Sequence, residues 1–421
     1  MLREDVERSN EWWFTGRVRS ELAPPFKRYA FQRILEGLEE RQILLVTGPR
    51  RVGKTTLLYQ VIERLLERVP PNRILYFSFD ESPVSPRDVL DFYERRVLMK
   101  PFEEVDRAYI FFDEVQYAEN WPSILKRFYD LYPNLRFLVT GSSSLLLSKE
   151  ALERLAGRFF TLRLRPLTFR EFLELKGVKV YGIDIFSRRM EAYFHEYLKR
   201  SGFPEIVHWE SEARVAEYIK NSVVDRVALR DIPAVFKTRD MALMDNLIKL
   251  ILSSPGSIIN INSLSRIWGR NRITLSNYLK YLEISLIVKS LSNLRPSFLS
   301  SSRKLKKYYP VTTSLIYAYC RQIFESRFGM VLETYAVNAL DAEYYYRDRR
   351  NEINIILKDG ELLPIEVKET VSEEEVKKFL RMMKYFNVKR GIIISLNQEM
   401  KRGDVQVMPA YQIEFLPNIT P

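Results

Sequence analysis

The sequence is poor in the residues that build disulfides and soft metal sites. Among 421 residues there is one cysteine, Cys320, and there are two histidines, His195 and His208. An intrachain disulfide is therefore excluded, and neither a cysteine zinc site nor a histidine cluster can be assembled. Long apolar runs are also missing, since no stretch approaches the roughly 18 residues that a membrane-spanning helix needs. The opening MLREDVERSN is charged and lacks the apolar stretch of a secretion signal. Together these absences lead to the expectation of a soluble, cytoplasmic protein. Low-complexity sequence is confined to Ser300, Ser301 and Ser302.

What is present is material for cores. Hydrophobic residues make up 46% of the chain and charged residues 29%, well interspersed. That excludes wholesale disorder and, at this length, suffices for two or three domains. Lysine and arginine number 66 against 54 aspartates and glutamates, a formal surplus of +12. A basic surplus favours polyanionic partners, because each neutralised phosphate releases condensed counterions. Charge alone does not separate nucleic-acid binding from plain solubility.

Five segments follow from the pattern along the chain. Residues 1–25 carry Trp12, Trp13 and Phe14 and end at Pro24 and Pro25, an arm ahead of the first domain. In residues 26–175, short apolar strands alternate with amphipathic helices, the pattern of a mostly parallel, doubly wound sheet. The expected strands are 43–47, 74–79, 109–112, 137–140 and 160–164. Residues 176–253 turn to helical periodicity, expected as a helical lid. Residues 254–310 fit a winged helix. Residues 311–421 form a last α/β segment, in which an α–β–β–β–α–β order begins near Phe328.

The chemistry is concentrated in the second segment. Gly48, Pro49, Arg50, Arg51, Val52, Gly53, Lys54 and Thr55 fit G-x-x-x-x-G-K-[ST], with Thr56 next. The run follows the apolar strand QILLVT and opens a helix, the context a phosphate-binding loop requires. Glycines let backbone N–H groups wrap phosphates, and the helix N-terminus adds a favourable dipole. These nine residues are the expected ATP-binding set. Lys54 would neutralise the β- and γ-phosphates, and the Thr55 hydroxyl would ligate Mg2+. Tyr109 to Glu114 is an apolar strand ending in two carboxylates. Asp113 is expected to hold Mg2+ and Glu114 to polarise the attacking water. The next strand ends in Val139, Thr140, Gly141 and Ser142, and either Thr140 or Ser142 could sense the γ-phosphate.

Taken together, the Trp12-Trp13 arm, TGPRRVGKTTLL, ILYFSFDE, FFDEVQ, VTGSSS, LAGR, PLTFREFL and SGFPE resemble one group of proteins. These are prokaryotic, archaeal-type AAA ATPases with a winged helix and a C-terminal restriction-endonuclease-like domain. The resemblance implies two further site residues. Arg158, in LAGR, fits the slot of an arginine that reaches the γ-phosphate of a neighbouring subunit. Pro204, after Gly202 and Phe203, fits an element that related ATPases place against the nucleotide from the lid. It also implies a homo-oligomer, in some cases a ring.

In the winged-helix segment, 262–268 is expected as a helix and Thr274 as the N-cap of the next. Leu275, Tyr278, Leu279 and Leu282 then fall on one face at i, i+3, i+4 and i+7. Ser276, Asn277, Lys280 and Tyr281 are left on the other, residue types suited to phosphates and base edges. A hairpin follows, with Arg303, Lys304, Lys306 and Lys307 on its returning arm. DNA is the expected partner here, with a protein-contact lid as the competing role.

The last segment resembles the PD-(D/E)XK nuclease fold, with Glu333 on its leading helix and Glu366 and Lys368 on one strand face. Such a nuclease needs clustered carboxylates for its metal and a lysine beside the attacking hydroxide. Here Asn354 stands where the resemblance calls for an aspartate, and Glu352, two residues away, is the only local substitute. Nuclease activity is therefore expected to be absent. The expectation for the whole chain is ATP binding and hydrolysis coupled to DNA or partner-protein remodelling. A slow-turnover regulatory switch and an ATP-gated metal-dependent nuclease are the alternatives.

Overall fold

The computed structural model describes residues 2–80, 84–141, 153–179, 187–294, 305–359 and 361–415. The chain divides into two units, Met1–Arg165 and Pro166–Pro421. Among the described residues, no helix is long and apolar enough to cross a membrane.

The first unit is built on five parallel strands: β1 (Ile43–Thr47), β2 (Ile74–Ser78), β3 (Ala108–Asp113), β4 (Leu135–Gly141) and β5 (Phe159–Arg163). Their spatial order is β2-β3-β4-β1-β5. All five expected strands are present, with ends shifted by at most two residues. Residues of β1 and β3 are buried throughout, as expected for parallel strands covered on both faces. Alternation splits them between two cores. Ile43, Leu45, Ile110 and Phe112 enter one, and Leu44, Val46, Tyr109 and Phe111 the other. The helix Lys54–Leu66 buries Leu57, Leu58, Val61, Ile62 and Leu65 into the second core, an i, i+4, i+8 stripe.

The N-terminal residues are part of this unit, with Val6 and Trp12 fully enclosed. They cover the free edge of β2. Asn10, wholly buried, accepts from the Tyr76 N–H at 2.7 Å and donates to the Tyr76 carbonyl at 2.8 Å. The indole N–H groups of Trp12 and Trp13 both donate to the Ile74 carbonyl, at 3.1 and 2.8 Å. An open strand edge is thus satisfied by side chains rather than by another strand.

The second unit starts with helices Phe169–Leu175, Ser187–Arg200 and Glu212–Tyr218, with further helical turns to Phe236 and the helix Met241–Ser253. Next come β6 (Ser257–Ile258), helices Ile261–Trp268 and Arg272–Ile284, β7 (Val288–Asn293) and β8 (Lys307–Pro310). The helix Phe328–Ala339 leads into β9 (Tyr344–Arg347), β10 (Glu352–Asp359) and β11 (Glu361–Val367). The helix Glu373–Phe386 then precedes β12 (Gly391–Ser395), β13 (Met400–Arg402) and β14 (Val405–Pro409). All nine strands join one sheet, in the order β13-β14-β12-β11-β10-β9-β7-β8-β6. The joint is a parallel pairing of β7 with β9, Ser292 opposite Tyr344. One core likewise runs from Phe203, Ile219 and Leu247 through Leu275, Leu279 and Val288.

Two local expectations are corrected. The helix Arg272–Ile284 starts ahead of Thr274, and its N-cap is Asn271, whose side chain accepts from the Ile273 N–H at 2.8 Å. Asparagine is at least as good a cap as threonine, and it stands at the first position where the backbone is still extended. Leu275, Tyr278, Leu279 and Leu282 are buried, and Ser276, Asn277 and Lys280 are exposed. Tyr281 is not on the open face, because it stacks on Phe236 at 4.0 Å between ring centres.

Candidate active site

The loop after β1 is shaped by its glycines. A Cβ on Gly48 would lie 2.5 Å from the Leu164 carbonyl oxygen, so no larger residue fits there. Gly53 has a φ of 93°, a conformation that L side chains rarely adopt, and it opens the helix Lys54–Leu66. The Lys54 ammonium, 5% exposed, donates to the carbonyls of Gly48 and Pro49 at 3.2 and 3.0 Å. Pro49 and Val52 complete the loop, and Arg50 donates to the Tyr117 hydroxyl at 3.3 Å. Arg51 has a positive φ of 63°. Thr55 and Thr56 lie in the first turn of the helix.

Because β4 lies between β1 and β3, the ends of all three strands meet beside this loop. Asp113, 2% exposed, is the hub. One carboxylate oxygen accepts from the Thr55 hydroxyl at 2.6 Å and from the Tyr76 hydroxyl at 3.2 Å. The other accepts from the Thr140 hydroxyl and, at 3.1 Å, from the Glu114 N–H. That N–H also reaches the Thr140 oxygen at 3.3 Å. Glu114 turns out of the strand with a φ of 50°. A non-glycine residue held this way stores of order 1–3 kcal/mol, and such strain clusters at functional sites. The Glu114 carboxylate accepts from the Gln116 amide. Ser142, the other sensor candidate, lies outside the described residues.

Residues 40–173 match the family model of an AAA domain. The chain carries a P-loop domain of the AAA type. A second match, over residues 191–325, is to a domain of unknown function (DUF8612). An uncharacterized protein of Haemophilus influenzae is 28% identical over 257 residues, 60% of this chain and 62% of that protein. The chain thus spans less than two thirds of that relative's length. Two uncharacterized proteins of Methanocaldococcus jannaschii are 27% and 26% identical, covering 84% and 88% of this chain and 82% and 84% of their own lengths. Among solved structures, Aeropyrum pernix ORC1 in complex with DNA aligns over 74% of this chain and 98% of its own, at TM-score 0.35 and 16% identity. AMPPCP-bound DnaA from Aquifex aeolicus aligns over 60% and 86%, at TM-score 0.27 and 15% identity. At these scores the two likenesses carry no argument about function.

Three residues around the AAA site were not found from the sequence. Tyr76 shares a sheet face with Asp113, because it is registered against Phe111, two residues earlier. Burial, then the Asp113 charge, holds its hydroxyl well above the ordinary tyrosine pKa, so it stays a donor. Arg28, buried, donates to the Val52 carbonyl at 2.7 Å and the Arg165 carbonyl at 2.9 Å, bracing the loop from behind. Gln116 is the third. Alternation would have paired Tyr76 with Asp113 had the register of β2 on β3 been known.

Arg158 lies just ahead of β5, at the sheet edge opposite the phosphate loop. Five strand residues separate those edges, roughly 16 Å at 3.3 Å per residue. Its guanidinium pairs with Asp130 at 2.7 and 3.2 Å, holding the Asp130 carboxyl below its usual pKa. Pro204 lies in the second unit, after Gly202, whose φ is 96°.

In the last segment two glutamates are drawn together around one lysine. Glu333 accepts from the Tyr309 hydroxyl at 2.6 Å and pairs with Lys307 at 3.1 Å. Glu352 pairs with the same Lys307 at 2.7 Å. The expectation that Lys307 faces DNA from the wing is therefore corrected, since it is 3% exposed and bound between two carboxylates. The Asn354 side-chain oxygen accepts from the Val367 N–H at 3.0 Å. Lys306 is tied to Glu283 and Ser290. Arg303 and Lys304 lie outside the described residues.

Proposed function

We propose that this chain binds and hydrolyses ATP and couples its nucleotide state to DNA or to a partner protein. What supports it most is the hydrogen-bonded set Thr55, Asp113 and Thr140 beside a glycine-framed loop that carries Lys54. The Thr55 hydroxyl and Asp113 carboxylate are hard oxygen donors 2.6 Å apart, the donor type that Mg2+ takes. When bound, the ion would neutralise charge on the β- and γ-phosphate oxygens. The loop N–H groups and Lys54 hold the phosphates. Thr140 fixes the Asp113 carboxylate and the Glu114 backbone together, and Glu114 polarises the attacking water. Arg158, remote from its own loop, acts on a neighbouring subunit's nucleotide in a homo-oligomer.

The succession helix Met241–Ser253, β6, two helices, β7 and β8, with β8 between β6 and β7, supports a winged helix. Ser276, Asn277 and Lys280 would meet DNA. A slow regulatory switch is the second reading, favoured by the Gln116 amide that engages the Glu114 carboxylate. Nuclease chemistry is disfavoured by the Lys307 pairs. The test is an ATPase assay with nucleotide binding followed in parallel. Lys54→Ala should lose binding. Glu114→Gln should keep binding and slow turnover by about 10²–10⁴-fold, the span of general-base catalysis. Wild-type turnover by Glu114→Gln would overturn the assignment.

A further inference from the structure

The ends of β9, β10 and β11 border an open cavity of about 370 Å³. Its lining includes Arg347, Arg349, Arg350, Lys368 and Lys378, five cations from three separate stretches of chain. A group of positive side chains is more often a solvated face than a site. The same lining holds three carboxylates, Asp348, Glu352 and Glu366, so five cations face three acids. Asp348 accepts from the backbone N–H groups of Arg350 and Asn351, both at 2.7 Å, which shapes the turn that presents Arg349 and Arg350. Glu352 pairs inward with Lys307 at 2.7 Å and, more loosely, with Arg347 at 3.5 Å. Glu366 is partly buried on β11. By contrast, Arg349, Arg350 and Lys378 are exposed and make no ion pair among the described residues.

The nuclease resemblance implies a divalent metal at this place, and the residues do not fit one. Of the three acidic candidates, Glu333, Glu352 and Glu366, the first two already share the Lys307 ammonium. Burial works to lower the Lys307 pKa, but the two carboxylates outweigh it and hold the ammonium charged. Asn354 is spent on the Val367 N–H. Among the described residues, no group of three or more His, Cys, Asp or Glu side chains could hold a metal. A lysine built into the fold thus occupies the acidic pair and offsets one of its two negative charges, and Arg347, 3.5 Å from Glu352, stands against the other.

We propose that this cavity is a metal-independent phosphate site, where Arg349, Arg350 and Lys378, flanked by Arg347 and Lys368, grip the backbone of a nucleic acid. A passing polymer suits it better than an enclosed small ligand. Small-molecule sites are mostly apolar and engulf their ligand, whereas these cations stand at an open polar mouth. Several cations in one cavity also match the closely spaced phosphates of a strand.

The test is fluorescence anisotropy of a labelled DNA duplex with the full chain, titrated with salt, in Mg2+ and in EDTA. Wild-type binding should be the same in both. Arg349→Ala/Arg350→Ala should weaken binding and flatten the log K against log salt slope by about 1.8, from two contacts at ~0.9 each. Ser276→Ala/Asn277→Ala/Lys280→Ala, measured alongside, separates this site from the winged-helix reading. An arginine double variant with the wild-type affinity and slope overturns the proposal, whatever the helix variant does. Loss of binding in EDTA overturns metal independence. Displacement of DNA by inorganic phosphate, beyond the effect of chloride at equal ionic strength, would overturn the polymer assignment in favour of a free-phosphate site.

Discussion

Asn10 offers the sharpest quantitative check on how the AAA unit is held together. Its buried side chain satisfies both backbone groups of Tyr76 on the free edge of β2, at 2.7 and 2.8 Å. Asn10→Ala leaves that N–H and that carbonyl without partners inside the protein. Each unsatisfied buried group costs about 1–3 kcal/mol, so the variant should lose about 2–6 kcal/mol of local stability. That is a large share of the roughly 5–15 kcal/mol that typically holds a domain. Hydrogen exchange at the amides of 74–78 reads the loss directly. Since 1.4 kcal/mol is tenfold, protection there should fall by about 30-fold or more. Asn10→Asp is the matched control, keeping the acceptor for the Tyr76 N–H while setting a carboxylate oxygen against the Tyr76 carbonyl. It should also lose protection. Unchanged exchange at 74–78 in both variants would refute the strap as the cover of β2. Because the Tyr76 hydroxyl donates to Asp113, a loosened β2 should weaken Mg2+-dependent ATP binding as well.

Tyr76→Phe keeps the ring and removes one donor to a buried carboxylate, a bond worth about 1.5–3 kcal/mol. It should raise the Mg2+ concentration needed for half-maximal ATPase by tenfold or more, and an unchanged Mg2+ titration would remove Tyr76 from the site. If Arg158 acts across subunits, Arg158→Ala should bind ATP normally and lose about 10³-fold or more in turnover. Mixing it with Lys54→Ala protein should restore some activity, and a monomeric mass under ATP without rescue would contradict the trans role. Glu414 accepts from the Arg170 N–H at 3.0 Å and the Tyr335 hydroxyl at 3.3 Å. Burial pushes its carboxyl up to about 7. A carboxyl raised on folding favours the protonated native state, so this stabilisation is present at low pH. It is lost as pH rises from the ordinary carboxylate range through about 7. Urea midpoints of the second unit should fall over that window, and Glu414→Gln should abolish that part of the slope.

The sequence by itself determined whatever depends on near neighbours along the chain. Gly48 to Thr55 declared a phosphate loop because spacing within eight residues is the whole signal. The five strands of the first sheet were legible because buried parallel strands are continuous apolar runs. The apolar face of Arg272–Ile284 was legible from its i, i+3, i+4 and i+7 spacing, while its first turn was misplaced because Asn271 and Thr274 are both capable caps. Only the tertiary structure decided which distant groups share charge. The pairing of β7 with β9 merges two sheets that local pattern kept apart. It is set by register between strands some fifty residues apart, which no local period encodes. That merger brings Lys307 to Glu333 and Glu352, turning an expected DNA contact into a buried counter-ion and an expected metal ligand into its partner. The physical reason is common to all of these cases. A side chain's type is written locally, but its electrostatic partners are chosen by contacts that form only when remote segments pack.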